Sequence, residues 1–279
     1  MSVILLSIFC VSCTKERNSS YFPSPPLTAS DRTTPLEYAE TAGILHNAGL
    51  EFLRLNFDFT QSLSTSAMAD TVLYKLCNYY QTAYGWSFST GYQTFVRDSM
   101  KLLCVNDLLG TTAKNLAYLN RIRNSSVMTT YVSSNERQFL DSLHVFFSTN
   151  VSGLSKAQVC ALAYNKSVNL LSQFNAITWS SGQGTLACGA LNVLKSTSTY
   201  WAGHDRIGFI GFSGSNGIGG GDEPFVILQA DCLGYIWGWG NALIDDANSS
   251  GGVTPDGQNR RMQQGFSNAA QASSFCVLF

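Results

Sequence analysis

Apolar residues recur at steps of three and four along most of this chain, the period of helices that bury one face. Thr34-Pro35-Leu36-Glu37 opens the first such segment: Thr34 is placed to cap, Pro35 suits the first helical position, and Glu37 completes a capping box. The stripe Ala39, Ala42, Leu45, Gly49, Leu50 and Leu53 carries this helix to about Phe57, with His46 and Asn47 in its middle. A lone His beside an apolar stripe is ordinarily a structural group, and a binding role is its alternative.

Further helices are predicted over 66–84, stopped by Gly85, over 90–109, stopped by Gly110, and over 112–123. Ser133-Ser134-Asn135-Glu136 is a second capping box and opens a helix through Phe147, and Ser155 caps another that reaches Phe174. A loop over 179–184 precedes a helix over 185–200. Ile207 to Gly221 is very rich in Gly and contains no P-loop pattern, so it reads as a surface loop. A turn-rich break over 248–257 separates the last two helices.

The first of that pair dominates the pattern. Between Pro224 and Asp245 the strongly polar side chains are Gln229, Asp231 and Asn241. Ala230, Gly234, Gly238 and Ala242 fall at steps of four and form one small-residue stripe. A helical Gly costs about 1 kcal/mol against Ala, so a ladder with two of them implies close approach of another backbone. The segment is either the buried helix of a bundle, apolar all round because it is covered all round, or a segment that enters a bilayer, for which ~20 apolar residues suffice. A short strand at Phe225–Leu228 is a third reading. The last helix, 258–275, gathers Met262, Phe266, Ala269, Ala270 and Ser273 on one face and would pair with the ladder as a hairpin. The expected fold is all-α: a multi-helix bundle with a buried Gly/Ala-ladder helix near its C-terminal end and Gly-rich loops, in one domain over 35–279 whose part from 180 on is Gly-rich.

The N-terminal residues follow a different pattern. Val3 to Val11 is an apolar run, and Val11-Ser12-Cys13 closes it as a bacterial lipoprotein signal does, although no Lys or Arg precedes the run. Residues 1–12 are read as signal peptide, and Cys13 as the lipidated residue that binds the bilayer. Residues 13–34, rich in Pro, Ser and Thr without periodicity, are read as a tether. The expected location is the bacterial cell envelope, at the outer membrane.

Composition narrows the chemistry. Charged residues are 13% of the 279, and the net charge is −1, which is no footprint for nucleic acid. The six cysteines after Cys13 are widely spaced without C-x-x-C, so zinc-ligand spacing is absent, and mostly free thiols with at most one bridge are expected. Three histidines, His46, His144 and His204, lie on separate segments, so neither metal nor cofactor is expected. A Cys-dependent hydrolase can be drawn with Cys188 as nucleophile near a helix start and His204 as base. The residues before and after Cys188 do not match such enzymes. Asp222/Glu223 and Asp245/Asp246 are the available carboxylate pairs, and both flank the apolar helix, where charges mark its emergence into water.

The segment Ile44-Leu45-His46-Asn47-Ala48-Gly49-Leu50, following a lipoprotein tether, together with Ala230-Asp231-x-x-Gly234-x-x-x-Gly238, resembles a group of uncharacterised Bacteroidota lipoproteins. The matching residues are about a tenth of the chain. The resemblance implies a lipid-anchored protein, and the Gly-ladder helix has earned some such proteins a bacteriocin-like label. His46, Asn47, Asp231, Gly234 and Gly238 are therefore the residues for a structural or binding role. The leading expectation is a lipid-anchored envelope protein with a non-enzymatic binding or structural function. A membrane-active or pore-forming protein using residues 225–244 is the alternative, and the Cys188 hydrolase is a further one.

Overall fold

A computed structural model describes residues 34–57, 63–105, 111–204, 223–254 and 257–278. The signal peptide, Cys13, the tether and the Gly-rich segment 207–221 lie outside these described residues. Within them the chain is helical, with no strand, and the helices pack on one another as an all-α bundle. In order they are α1 (Pro35–Ala39), α2 (Ala42–Asn56), α3 (Thr65–Tyr84), α4 (Thr90–Val105), α5 (Thr112–Arg123) and α6 (Ser126–Tyr131), then α7 (Ser134–Phe147), α8 (Lys156–Asn175), α9 (Thr185–Gly203), α10 (Glu223–Asn248) and α11 (Gln258–Leu278).

Local chemistry sets most boundaries. Thr34 and Ser155 both complete capping boxes. Gly85 ends α3 in the left-handed conformation, at φ 68°, donating its N–H back to Gln81. The single helix expected over 34–57 is broken at Glu40–Thr41. There the Thr41 hydroxyl donates to the Tyr38 carbonyl at 2.6 Å, alongside the Thr41 N–H. A side chain that competes for the backbone acceptor in this way ends the first short helix. Between α5 and α7, where no element was expected, lies α6, capped by the Ser125 hydroxyl, which accepts from Met128 N–H. Residues Phe225–Leu228 are helical, so the strand alternative does not hold.

Helix α10 is the inner element. Phe225 to Ile236 are buried without interruption, and the helix packs on α11, α9, α5, α8 and α6. Its small-residue stripe meets α11 at backbone distance. A Cβ added at Gly234 would lie 2.6 Å from the Asn268 carbonyl oxygen and 2.8 Å from Ala269 Cα, and one at Gly238 would press on the Gln264 carbonyl. Both glycines are there for closeness, and the predicted hairpin is a close-packed helix pair. No described helix is long and apolar enough to cross a membrane.

Several polar groups inside the bundle are matched across helices. Gln229 of α10 accepts from Asn115 at 3.0 Å and donates to the Phe147 carbonyl at 3.2 Å. Tyr92 donates to Asn268 at 2.9 Å. Asp246 of α10 binds both Arg260 and Arg261 of α11. Glu136 departs from the reading of its sequence. Ser133 caps Glu136 N–H as expected, but the Glu136 carboxylate turns to the start of α9, where Leu186 N–H donates to it at 3.2 Å. The cap residue of α9 is Gly184, which has no side chain to offer. A buried Glu from α7 thus caps a helix fifty residues away in sequence.

Candidate functional site

His46 and Asn47 of α2 and Asp231 of α10 come together against α9. Gly43, one turn before His46, makes this possible: a Cβ there would collide with Asn192 and Ser196 of α9, so its absence lets the two helices cross closely. Asn47 Nδ2 donates to the Ser196 carbonyl at 3.0 Å, which fixes its amide, and His46 Nδ1 donates to Asn47 Oδ1 at 2.9 Å. The other ring nitrogen, Nε2, faces Asp231 Oδ1 at 3.7 Å, and both side chains are fully buried. The second carboxylate oxygen of Asp231 accepts from the Thr197 hydroxyl and from Trp201 Nε1 at 3.1 Å.

This cluster has the members of a catalytic constellation and the wrong arrangement for one. Its hydroxyl, Thr197, donates to the carboxylate instead of to the imidazole. Exposure is 0% at His46, Thr197 and Asp231, so a substrate has no approach. What the arrangement does is hold α9 to α10 through one buried carboxylate oxygen, for which the Thr197 and Trp201 donors replace water, with His46 of α2 facing the other oxygen.

Cys188 and His204 are not brought together. They stand at the two ends of α9, sixteen residues and roughly 24 Å apart at the helical rise. Burial pushes the Cys188 thiol well above its usual range, and the nearby carboxylates Glu40 and Glu136 push it the same way. His204 lies flat on Tyr200, with ring centroids 4.2 Å apart, and its Nδ1 donates to the Tyr200 carbonyl at 2.8 Å. The thiolate–imidazole geometry that the hydrolase reading needs is therefore missing. Cys77, Cys160, Cys188 and Cys232 are free and buried. Among the described residues, no group of three or more His, Cys, Asp or Glu is placed to hold a metal ion. Asp245 and Asp246 share the end of α10, where Asp246 is engaged by Arg260 and Arg261.

An accessible feature lies elsewhere. Between α5, α6 and α10 lies a pocket of about 170 Å³. Tyr118, Met128 and Gly240 form its buried floor, with Trp237 and Asn241 on the wall and Arg121 at the mouth. The Arg121 guanidinium lies 5.0 Å over the Tyr118 ring. Burial raises the Tyr118 hydroxyl pKa to about 12, so it remains a neutral phenol. Asn241 Nδ2 is shielded from water and has no acceptor. Gly240 keeps α6 near: a Cβ there would stand 3.2 Å from the end of Met128.

The chain matches no family model, no curated protein and no solved structure. The site is therefore judged on its own chemistry. Sequence reading brought out His46, Asn47 and Asp231, which the fold gathers into a buried lock, and Gly234 and Gly238, which it uses for helix packing. It missed Tyr118, Arg121, Trp237 and Asn241. A signal was present: Trp237 and Asn241 are four residues apart, so a large aromatic and an amide share one face of an otherwise apolar helix.

Proposed function

We propose that this chain is a lipid-anchored protein of the bacterial cell envelope, held at the outer membrane through Cys13, whose helical body binds a small ligand without transforming it. The observation that carries the binding role is the pocket between α5, α6 and α10: concave, walled by aromatic and apolar side chains, with a few polar groups at fixed places. The anchoring half of the reading rests on the apolar run ending in Val11-Ser12-Cys13, on the Pro- and Ser-rich stretch behind it, and on the resemblance to Bacteroidota lipoproteins. A single acyl chain binds membranes only marginally, whereas two or more hold firmly, so a multiply acylated Cys13 would retain the body at the bilayer.

The test is expression of the full chain in a Gram-negative host fed radiolabelled palmitate. The expected result is label in the protein and recovery in the outer-membrane fraction, both lost on Cys13→Ala. Unlabelled protein in the wild type, or label that survives the substitution, would overturn the anchor.

A further inference from the structure

We infer that the pocket between α5, α6 and α10 takes one aromatic ring bearing a single carboxylate, an inference that rests on reading the body as ligand-binding. Size comes first. An apolar cavity of about 150 Å³ accepts one benzene molecule, so about 170 Å³ holds one six-membered ring with a small substituent. The walls suit a ring as well. Trp237 and Tyr118 offer aromatic surface, and Met128 offers a flexible thioether that settles against ring edges.

The polar groups set the charge. No Asp or Glu lines the pocket. Its one charged group is a donor, the Arg121 guanidinium at the mouth. Among the described residues no carboxylate pairs with that guanidinium. Arg121 is held over the Tyr118 face, so its planar fork is partly ordered before anything binds. A donor at the mouth and an apolar floor give the ligand a direction: ring inward, carboxylate outward, with the guanidinium pairing it. A monosaccharide would bury several hydroxyls against Met128 and Gly240, where they find no partners.

The test is a ¹⁹F NMR titration of the full chain with 4-fluorobenzoate and, separately, with 4-fluorotoluene, repeated on Arg121→Met. That substitution keeps an apolar stem at an exposed position, so folding is not at stake. The inference expects saturable binding of 4-fluorobenzoate, weakened roughly tenfold or more by Arg121→Met, as loss of a charge-assisted hydrogen bond implies. Binding of 4-fluorotoluene should be the same in both proteins. If 4-fluorotoluene binds and 4-fluorobenzoate does not, the carboxylate assignment is overturned while the ligand-binding reading stands. If 4-fluorobenzoate binds equally to both proteins, Arg121 is not its partner and the inference falls. If neither probe binds, the ligand-binding reading falls with it.

Discussion

Alanine at Gly238 or Gly234 tests whether the α10–α11 contact is as close as described. Two terms oppose each other. Removing a glycine from a helix interior favours folding by up to about 1 kcal/mol. Against that, the new methyl at Gly234 would sit 2.6 Å from the Asn268 carbonyl oxygen, and the one at Gly238 would meet the Gln264 carbonyl even closer. These are backbone atoms of a facing helix, so no side chain can swing away, and the helices must move apart. Overpacking of this kind costs about 1–3 kcal/mol. The expected net loss is about 1 kcal/mol per site, and about 2 kcal/mol or more if the second methyl adds to the first. For a chain of this size, each kcal/mol lowers Tm by about 2–4 °C. Gly91 of α4 is the control: it is exposed, and a Cβ there meets nothing closer than Ser89 Oγ at 3.9 Å. Urea denaturation of Gly238→Ala, Gly234→Ala and Gly91→Ala in parallel gives the comparison. A stability gain in all three would mean that α10 and α11 are not in backbone contact, and the account of the ladder would be wrong.

Two further outcomes are expected. Asp231→Ala leaves the buried Thr197 hydroxyl and Trp201 N–H without their shared acceptor, which costs about 1–3 kcal/mol for each donor left unpaired; a denaturation midpoint within error of the wild type would show that the cluster ties nothing together. Burial raises the Glu136 carboxyl pKa in the folded state above its ordinary 4.5, although donors from Gly184, Ser133, Leu186 and Ala187 oppose the shift. The folded protein therefore holds that proton more tightly than the unfolded chain. Stability falls as pH rises from about 4.5 through the raised value, and levels off above it. Glu136→Gln should remove that downward segment from a plot of unfolding free energy against pH, and superimposable wild-type and variant slopes would contradict the assignment.

Much of the helix pattern was readable because its signals are local. Thr34 with Glu37, Ser155 with Gln158, and Gly85 each act within one helical turn, so sequence neighbours decide them. The ladder was readable for another reason: glycines repeated at steps of four are unfavourable unless a partner backbone comes close, so they announce contact without naming the partner. What was not readable depends on distant residues. Glu136 fits a capping box from its neighbours, yet its carboxylate serves Leu186, because the cap position of α9 is a glycine and the α7–α9 packing places the acid there. Asp231 alone on an apolar helix says only that a partner is needed. That the partners are Thr197, Trp201 and His46 follows from the crossing of α2 and α9, which Gly43 permits. The break at Thr41 turned on one hydroxyl rotamer. The pocket escaped because its residues come from three helices, and on each of them they are few enough to pass as surface.

The placement of α10 has a consequence for synthesis. The side chains that satisfy its polar groups lie far earlier in the chain: Asn115 is 114 residues before Gln229, and Tyr92 precedes Asn268 on the adjoining α11 by 176. A polypeptide emerging from the ribosome therefore displays the inner faces of α5, α8 and α9 before the helix that covers them exists. Contacts of such long sequence separation form slowly. Meanwhile Leu45, Leu119 and Leu191 wait in water, as does the unpaired amide of Asn115. A nascent chain stalled near residue 204 is expected to engage chaperones or aggregate, and native structure is expected to appear only once both members of the C-terminal hairpin have been released.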